Sequence, residues 1–276
     1  MSYIERDLLI QHLMKQITDE GYIAPYITES DIDSSLIALR KVENVYHNGM
    51  FDFYKWCRKG KPIRPLIEKY CGIQHKHRGS ARRTLDVAFN NLKVLFAALH
   101  HLICDKKWDI NISTLHSMLY KMRYGPLWFD PVVFYAAIKQ LFTNQLSDKS
   151  VIVDITPNVH EKMLTAWLLG CNYSAIGSQP PQDMANRIGT TLKPPTEPYD
   201  IAILDNALKP LDDLGLAVEV IKRSRNALIY VHPSQAKELS SIHKPSRIVR
   251  AHTSPIRAKL PPHYLFAYSG GPAKIQ

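Results

Sequence analysis

Two carboxylates carry the first chemical signal in this 276-residue chain. Asp154 ends the apolar run Val151-Ile152-Val153, and Asp205 ends the run from Tyr199 to Leu204; each precedes a loop. In an open parallel α/β sheet, ligands sit beyond the carboxyl ends of the strands. Acids at two such ends could orient a ligand's donors by charge and hydrogen bonding. Asp is also an ordinary strand-ending and capping residue, and taken singly each acid reads as well as a cap.

The second signal is clustered positive charge. The chain carries a net +10, but residues 1–50 hold four Lys/Arg against eight acids. Residues 55–93 hold eleven against two, and residues 222–274 ten against one. Such clustering is the footprint of a polyanion partner. The candidate contacts are Lys55, Arg58, Lys59, Lys61 and Arg64, then Lys76, Arg78, Arg82 and Arg83, and finally Lys222, Arg223 and Arg225. Tyr54 and Trp56 lie among the first group, and aromatics beside cations suit unpaired bases. Arg82 and Arg83 follow Ser80 at a helix start, where side chains and backbone N–H groups meet phosphates. The plain alternative is a basic but uninvolved surface, with Phe51 and Phe53 packed in a core.

Several chemistries have no support. Cys57, Cys71, Cys104 and Cys171 form neither a CxxC pair nor a zinc pattern. Thiols so scattered fit a reducing compartment. Neighbouring helical residues point about 100° apart, so His100-His101 makes a poor ligand pair. The segment His160-Glu161-Lys162-Met163-Leu164 ends in Leu where a zinc helix needs His. No metal is expected. GxSxG, Walker A and GxGxxG sequences are missing. No apolar run reaches membrane-spanning length, and Glu5, Arg6 and Asp7 interrupt any export signal. The expected setting is cytoplasmic.

The positioning elements fall into two halves. Helices are expected from Ser2 with apolar positions through Ile17, over Thr28 to Asn48, Phe51 to Gly60, from Pro65, from Ser80 through Leu102, Ser113 to Arg123 and Pro131 to Leu146. From Asp148 onward, β-like runs alternate with helical ones. Strands are expected at Val151–Asp154, Tyr173–Ile176, Tyr199–Leu204, Ala217–Val220 and Ala227–Val231, with an antiparallel pair at Arg247–Ala251 and Tyr264–Tyr268. Helices are expected over His160–Leu169 and Gln182–Ile188. The expected fold is α/β, with a basic helical domain over 1–147. A small, Rossmann-like, mostly parallel sheet follows over 148–276.

Within that second half, VIVDITPNVHEKMLTAWLLGCNYSAIG resembles the first motif of Rossmann-fold, S-adenosylmethionine-dependent DNA/RNA methyltransferases. PYDIAILDNAL resembles the strand leading into their catalytic loop, and the closing antiparallel strands suit the family. The resemblance covers about residues 148–270. It implies a cofactor, S-adenosylmethionine, held at Asp154 and the turn residues Pro157 and Asn158. It implies that Asp205 and Asn206 accept hydrogen bonds from a target amino group and aim its lone pair. The motifs also depart from the family. The turn Thr156-Pro157-Asn158-Val159-His160 has no glycine, and Gly177 stands where an acid would hold the ribose. Asp205-Asn206-Ala207-Leu208 lacks the prolines and the base-stacking aromatic, and Gly177 to Tyr199 leaves little room for a strand–helix unit. Two functions follow: a methyltransferase-like nucleic-acid-binding protein with degenerate motifs, or a non-catalytic binding or assembly protein. The second would use segments 55–93 and 222–274 to hold nucleic acid, DNA ahead of RNA, or an acidic complex.

Overall fold

The computed structural model describes residues 3–21, 26–42, 46–47, 50–51, 64–70, 85–106, 110–122, 131–157, 160–205, 214–251 and 263–269. The chain divides into two compact units, Met1–Thr28 with Ile73–Leu127, and Glu29–Gly72 with Trp128–Gln276. This differs from the division expected at 147/148. The helix Pro131–Phe142 is buried at nine of its twelve positions. A helix buried at most of its positions must be covered by several neighbours, which ties it to the sheet.

The first unit is helical: α1 (Tyr3–Glu20), α4 (Leu85–Phe89), α5 (Leu92–His100) and α6 (Ile112–Lys121) enclose a cluster of Ile10, Leu95, Leu99, Leu115 and Leu119. The single helix expected from Ser80 through Leu102 is broken. Asn91 caps α5 instead, its side chain accepting from Lys93 N and Val94 N. Asn competes with helix interiors by this local bonding and favours caps. The same reason moves the next helix start from Ser113 to Asn111, whose Oδ1 accepts from Thr114 N at 2.9 Å.

In the second unit, α2 (Glu29–Arg40) and α3 (Arg64–Tyr70) pack on each other. Two short strands, β1 (Tyr46–His47) and β2 (Met50–Phe51), pair antiparallel. Phe51 is therefore a strand residue rather than the start of a helix. The main sheet contains β3 (Val151–Asp154), β4 (Asn172–Ala175), β5 (Tyr199–Asp205), β6 (Ser224–Val231), β7 (Arg247–Ala251) and β8 (His263–Ser269), in the order β4-β3-β5-β6-β8-β7. β3, β4, β5 and β6 run parallel, and β8 is reversed between β6 and β7. This is a mixed α/β, Rossmann-like sheet with helices on both faces.

Period-2 alternation decides which side chains meet which helices. Val153, Ala202, Leu204, Ala227 and Ile229 face one layer, under α10 (Gly215–Lys222) and α11 (Ala236–Ile242). The intervening Ile152, Asp154, Ile203 and Tyr230 face the other. There α7 (Pro131–Phe142) packs on α8 (Lys162–Leu169), with Thr165 Oγ1 donating to Pro131 O at 2.9 Å and Phe134 edge-on to Tyr230. The strand expected at Ala217–Val220 is part of α10, and Ala217 and Val220 are its buried positions. Parallel strands such as β5 and β6 need a crossover between them, and here α10 supplies it. Between Gly177 and Tyr199 the chain makes only α9 (Gln182–Ile188) and a single parallel bridge, Tyr173↔Leu192. Among the described residues, no helix is long and apolar enough to cross a membrane, and no group of three His, Cys, Asp or Glu could hold a metal.

Candidate functional site

The chain leaves β3 toward β4 on one side and later returns to β5 on the other. The carboxyl ends of β3 and β5 therefore mark the topological switch point, where open α/β sheets bind ligands. Asp154 and Asp205 stand at those two ends. Asp154 lies opposite Ala175 on one side and Ile203 on the other.

The space between the acids is filled by the protein itself. Glu161 and Lys162 open α8, and their side chains turn into the sheet. Lys162 Nζ lies 3.4 Å from Asp154 Oδ1, 3.1 Å from Glu161 Oε1 and 3.8 Å from Asp205 Oδ2. The Lys162 and Asp154 side chains are fully buried, and that of Asp205 is 9% exposed. Phe134 closes the other side, with its ring centroid 5.7 Å from Nζ. Lysine is almost never buried without partners, and here three carboxylates supply them.

Three acids around one ammonium leave an excess of negative charge, and the side chains respond to it. Burial pushes the Asp154 carboxyl from its ordinary 3.8 up to about 6, and Glu161 and Asp205 push the same way. Lys162 and a hydrogen bond from Tyr173 oppose them. For Lys162, burial favours the neutral amine, but Asp154, Glu161 and Asp205 outweigh it and hold the ammonium charged. Glu161 Oε2 and Asp154 Oδ1 have no hydrogen-bond donor among the described residues. Asp154 Oδ2 accepts from Tyr173 Oη at 3.1 Å.

The two loop segments are laced together behind these acids. Asp205 N donates to Thr156 Oγ1 at 3.1 Å, and the same hydroxyl donates to Asp205 O at 3.2 Å. Pro157 follows in this turn; Asn158 and Asn206 lie outside the described residues.

Among the described residues, those at the switch point do not fit S-adenosylmethionine. The acid expected to face the methionine end is enclosed, and its carboxylate is paired with the Lys162 ammonium. Gly177, at the mouth of β4, offers no side chain to a ribose.

No protein-family model and no curated protein matches the sequence. Three solved structures overlay loosely. A protein from Thermoplasma acidophilum is 13% identical, with TM-score 0.36, over 50% of this chain and 86% of its own. An rRNA methylase from Streptococcus thermophilus is 15% identical, with TM-score 0.36, over 52% and 99%. The 16S rRNA methylase RmtB is 11% identical, with TM-score 0.34, over 89% and 98%. Likeness at this level bears on neither activity nor substrate.

Of the expected polyanion contacts, Lys55, Arg58, Lys59, Lys61, Lys76, Arg78, Arg82 and Arg83 lie outside the described residues, and Arg64 opens α3. Lys222, Arg223 and Arg225 are exposed, but at the amino end of β6, the opposite edge of the sheet from Asp205. Arg223 pairs with Glu219 at 2.8 Å and Glu197 at 3.3 Å, and Arg225 pairs with Asp200 at 3.3 Å. The structure thus brings Asp154 and Asp205 together and places the basic trio elsewhere.

Sequence reasoning missed Glu161, Lys162, His160, Tyr173 and Ser178. A signal was present for one of them. Lys162 sits at the start of Lys162-Met163-Leu164-Thr165-Ala166, five successive buried positions. A cation there requires acids brought from elsewhere in the fold.

Proposed function

We propose that this chain is a nucleic-acid-binding protein on a methyltransferase-like fold, in which Lys162 has replaced the cofactor and catalysis of methyl transfer has been given up. The observation that carries this reading is the Lys162 ammonium, seated between Asp154 and Asp205 at the switch point. A ligand there would have to displace a buried ion pair, and removing one partner of such a pair costs about 3–5 kcal/mol. The binding role is supported by the two basic segments, each with a large excess of Lys and Arg.

Two titrations test the reading. S-adenosylmethionine and S-adenosylhomocysteine are expected to leave the melting temperature unchanged. Duplex and single-stranded DNA and RNA are expected to bind with affinity that falls steeply with salt. Weak, salt-independent binding of every nucleic acid would remove the binding role.

One observation favours a second reading, an active nucleic-acid methyltransferase. The two strand-end acids do converge where the family resemblance puts the cofactor and target. On that reading Lys162 withdraws and S-adenosylmethionine raises the melting temperature. The Asp154→Ala variant then loses the rise.

A further inference from the structure

A second line of polar groups begins at the mouth of β4 and ends at the buried acid. Ser178 Oγ lies 3.1 Å from His160 Nε2, His160 Nδ1 lies 3.3 Å from Tyr173 Oη, and Tyr173 Oη donates to Asp154 Oδ2 at 3.1 Å. We propose that Ser178 and His160 form a nucleophile–base pair that attacks activated carboxylic esters, with Tyr173 and Asp154 as positioning residues. This goes beyond the binding role proposed above and does not depend on it.

The donors and acceptors run in one direction. An ionised carboxylate only accepts, so the phenol proton points to Asp154. Tyr173 Oη then accepts from His160 Nδ1–H, which fixes the tautomer with Nε2 unprotonated. The partner left for Nε2 is the Ser178 hydroxyl, which must donate. A hydroxyl within hydrogen-bond reach of an imidazole base, itself held by a third group, is the signature of an activated nucleophile.

Accessibility agrees with those roles. Ser178 is exposed to an incoming ester, whereas His160 is 8% exposed and lies under it. Burial and the nearby Lys162 lower the affinity of His160 for a second proton, against Glu161. The imidazole is thus neutral and able to accept.

The backbone is also held in an uncommon state here. His160 has φ 52°, and Gly177, just before Ser178, has φ 83°. Left-handed backbone at a non-glycine residue is strained and gathers at functional sites. The N–H groups of Gly177 and Ser178 have no hydrogen-bond partner among the described residues. They are donors beside the hydroxyl that a developing oxyanion could use.

The step balances without a further reactant. A bond forms between Ser178 Oγ and the carbonyl carbon as the hydroxyl proton passes to His160 Nε2. The bond from that carbon to the leaving oxygen breaks, and the leaving oxygen takes the proton from Nε2. Water then repeats the sequence on the acyl-serine and releases the acid.

The test uses the full chain with p-nitrophenyl acetate, following p-nitrophenolate release and locating the acetyl group by mass spectrometry. An acetyl mark on Ser178 is expected, with a rate that rises with pH as His160 and Asp154, both in the relay, lose their protons. Ser178→Ala, at an exposed position, should abolish the mark and leave the melting temperature alone. His160→Gln should slow acylation by about 10²–10⁴-fold. Tyr173→Phe should move the midpoint of that rise, which a merely structural tyrosine would not do. The proposal is overturned if no acetyl group forms on Ser178, or if His160→Gln leaves the rate and its pH dependence unchanged.

Discussion

Lys162 Nζ stands 3.4 Å from Asp154 Oδ1 at the carboxyl end of the sheet, and neither side chain has any solvent exposure. The pair fills the position where an open α/β sheet of this topology holds its ligand. Whether a ligand can enter at the switch point depends on whether that ion pair stays closed.

Removing the cation should be costly. Lys162→Met would leave Asp154, Glu161 and Asp205 around an uncharged side chain. A loss of about 3–5 kcal/mol is expected at neutral pH, measured by urea unfolding. The loss should shrink near pH 5, where Asp154, raised to about 6, takes up a proton and relieves the repulsion. A change below about 1 kcal/mol at neutral pH, the range of exposed pairs, would mean the ion pair is not closed as described.

The pH dependence of Asp154 can be read with its sign. Its folded pKa of about 6 lies above the ordinary 3.8, so the folded state holds the proton more tightly. Its contribution to stability is complete below about 3.8 and is lost as pH rises through about 6. Asp154→Asn keeps the shape and removes the titration. The stability of this variant relative to wild type should rise by about 1–3 kcal/mol across that window. Parallel stability–pH curves for the two proteins would contradict the shift.

The helical unit offers a local check. Asn91 accepts from both Lys93 N and Val94 N at the start of α5. Asn91→Ala should cost about 1 kcal/mol, seen as an earlier urea transition. Lys93→Ala, at a neighbouring exposed position, should cost less than about 0.5 kcal/mol.

Nucleic-acid binding should distinguish the basic residues at the amino end of β6. Arg223 already faces Glu219 and Glu197, whereas Lys222 is exposed and in neither pair. If this edge touches phosphates, Lys222→Ala should lower the slope of log affinity against log salt by about 0.9, and Arg223→Ala by less. Equal slopes in both variants and wild type would place the contact elsewhere, on segment 55–93.

Much of the second unit was legible residue by residue. Val151–Asp154, Gln182–Ile188 and Arg247–Ala251 fall on the expected bounds, because short apolar runs and turn residues set them locally. The misreadings have tertiary or cap causes. Ala217–Val220 looks like a strand by composition, but the crossover between parallel β5 and β6 makes it helical. Asn91 breaks a continuous apolar period that otherwise reads as one long helix. At the site, both strand-end acids were visible because they close strands. Lys162 and Tyr173 were not, since their meaning comes from Asp154 and Asp205, brought beside them only by the sheet. Arg223 and Arg225 are legible in the sequence only as charge; their pairing with Glu219, Glu197 and Asp200 comes from the fold.

The central claim is tested most directly by titrating the wild-type chain with S-adenosylmethionine and following thermal unfolding. The account predicts no shift at millimolar ligand, because the buried Lys162–Asp154 ion pair already fills the site. A shift that grows with ligand, worth about 2.7 kcal/mol at a hundredfold excess over the dissociation constant, would contradict it, provided Asp154→Ala abolishes the shift.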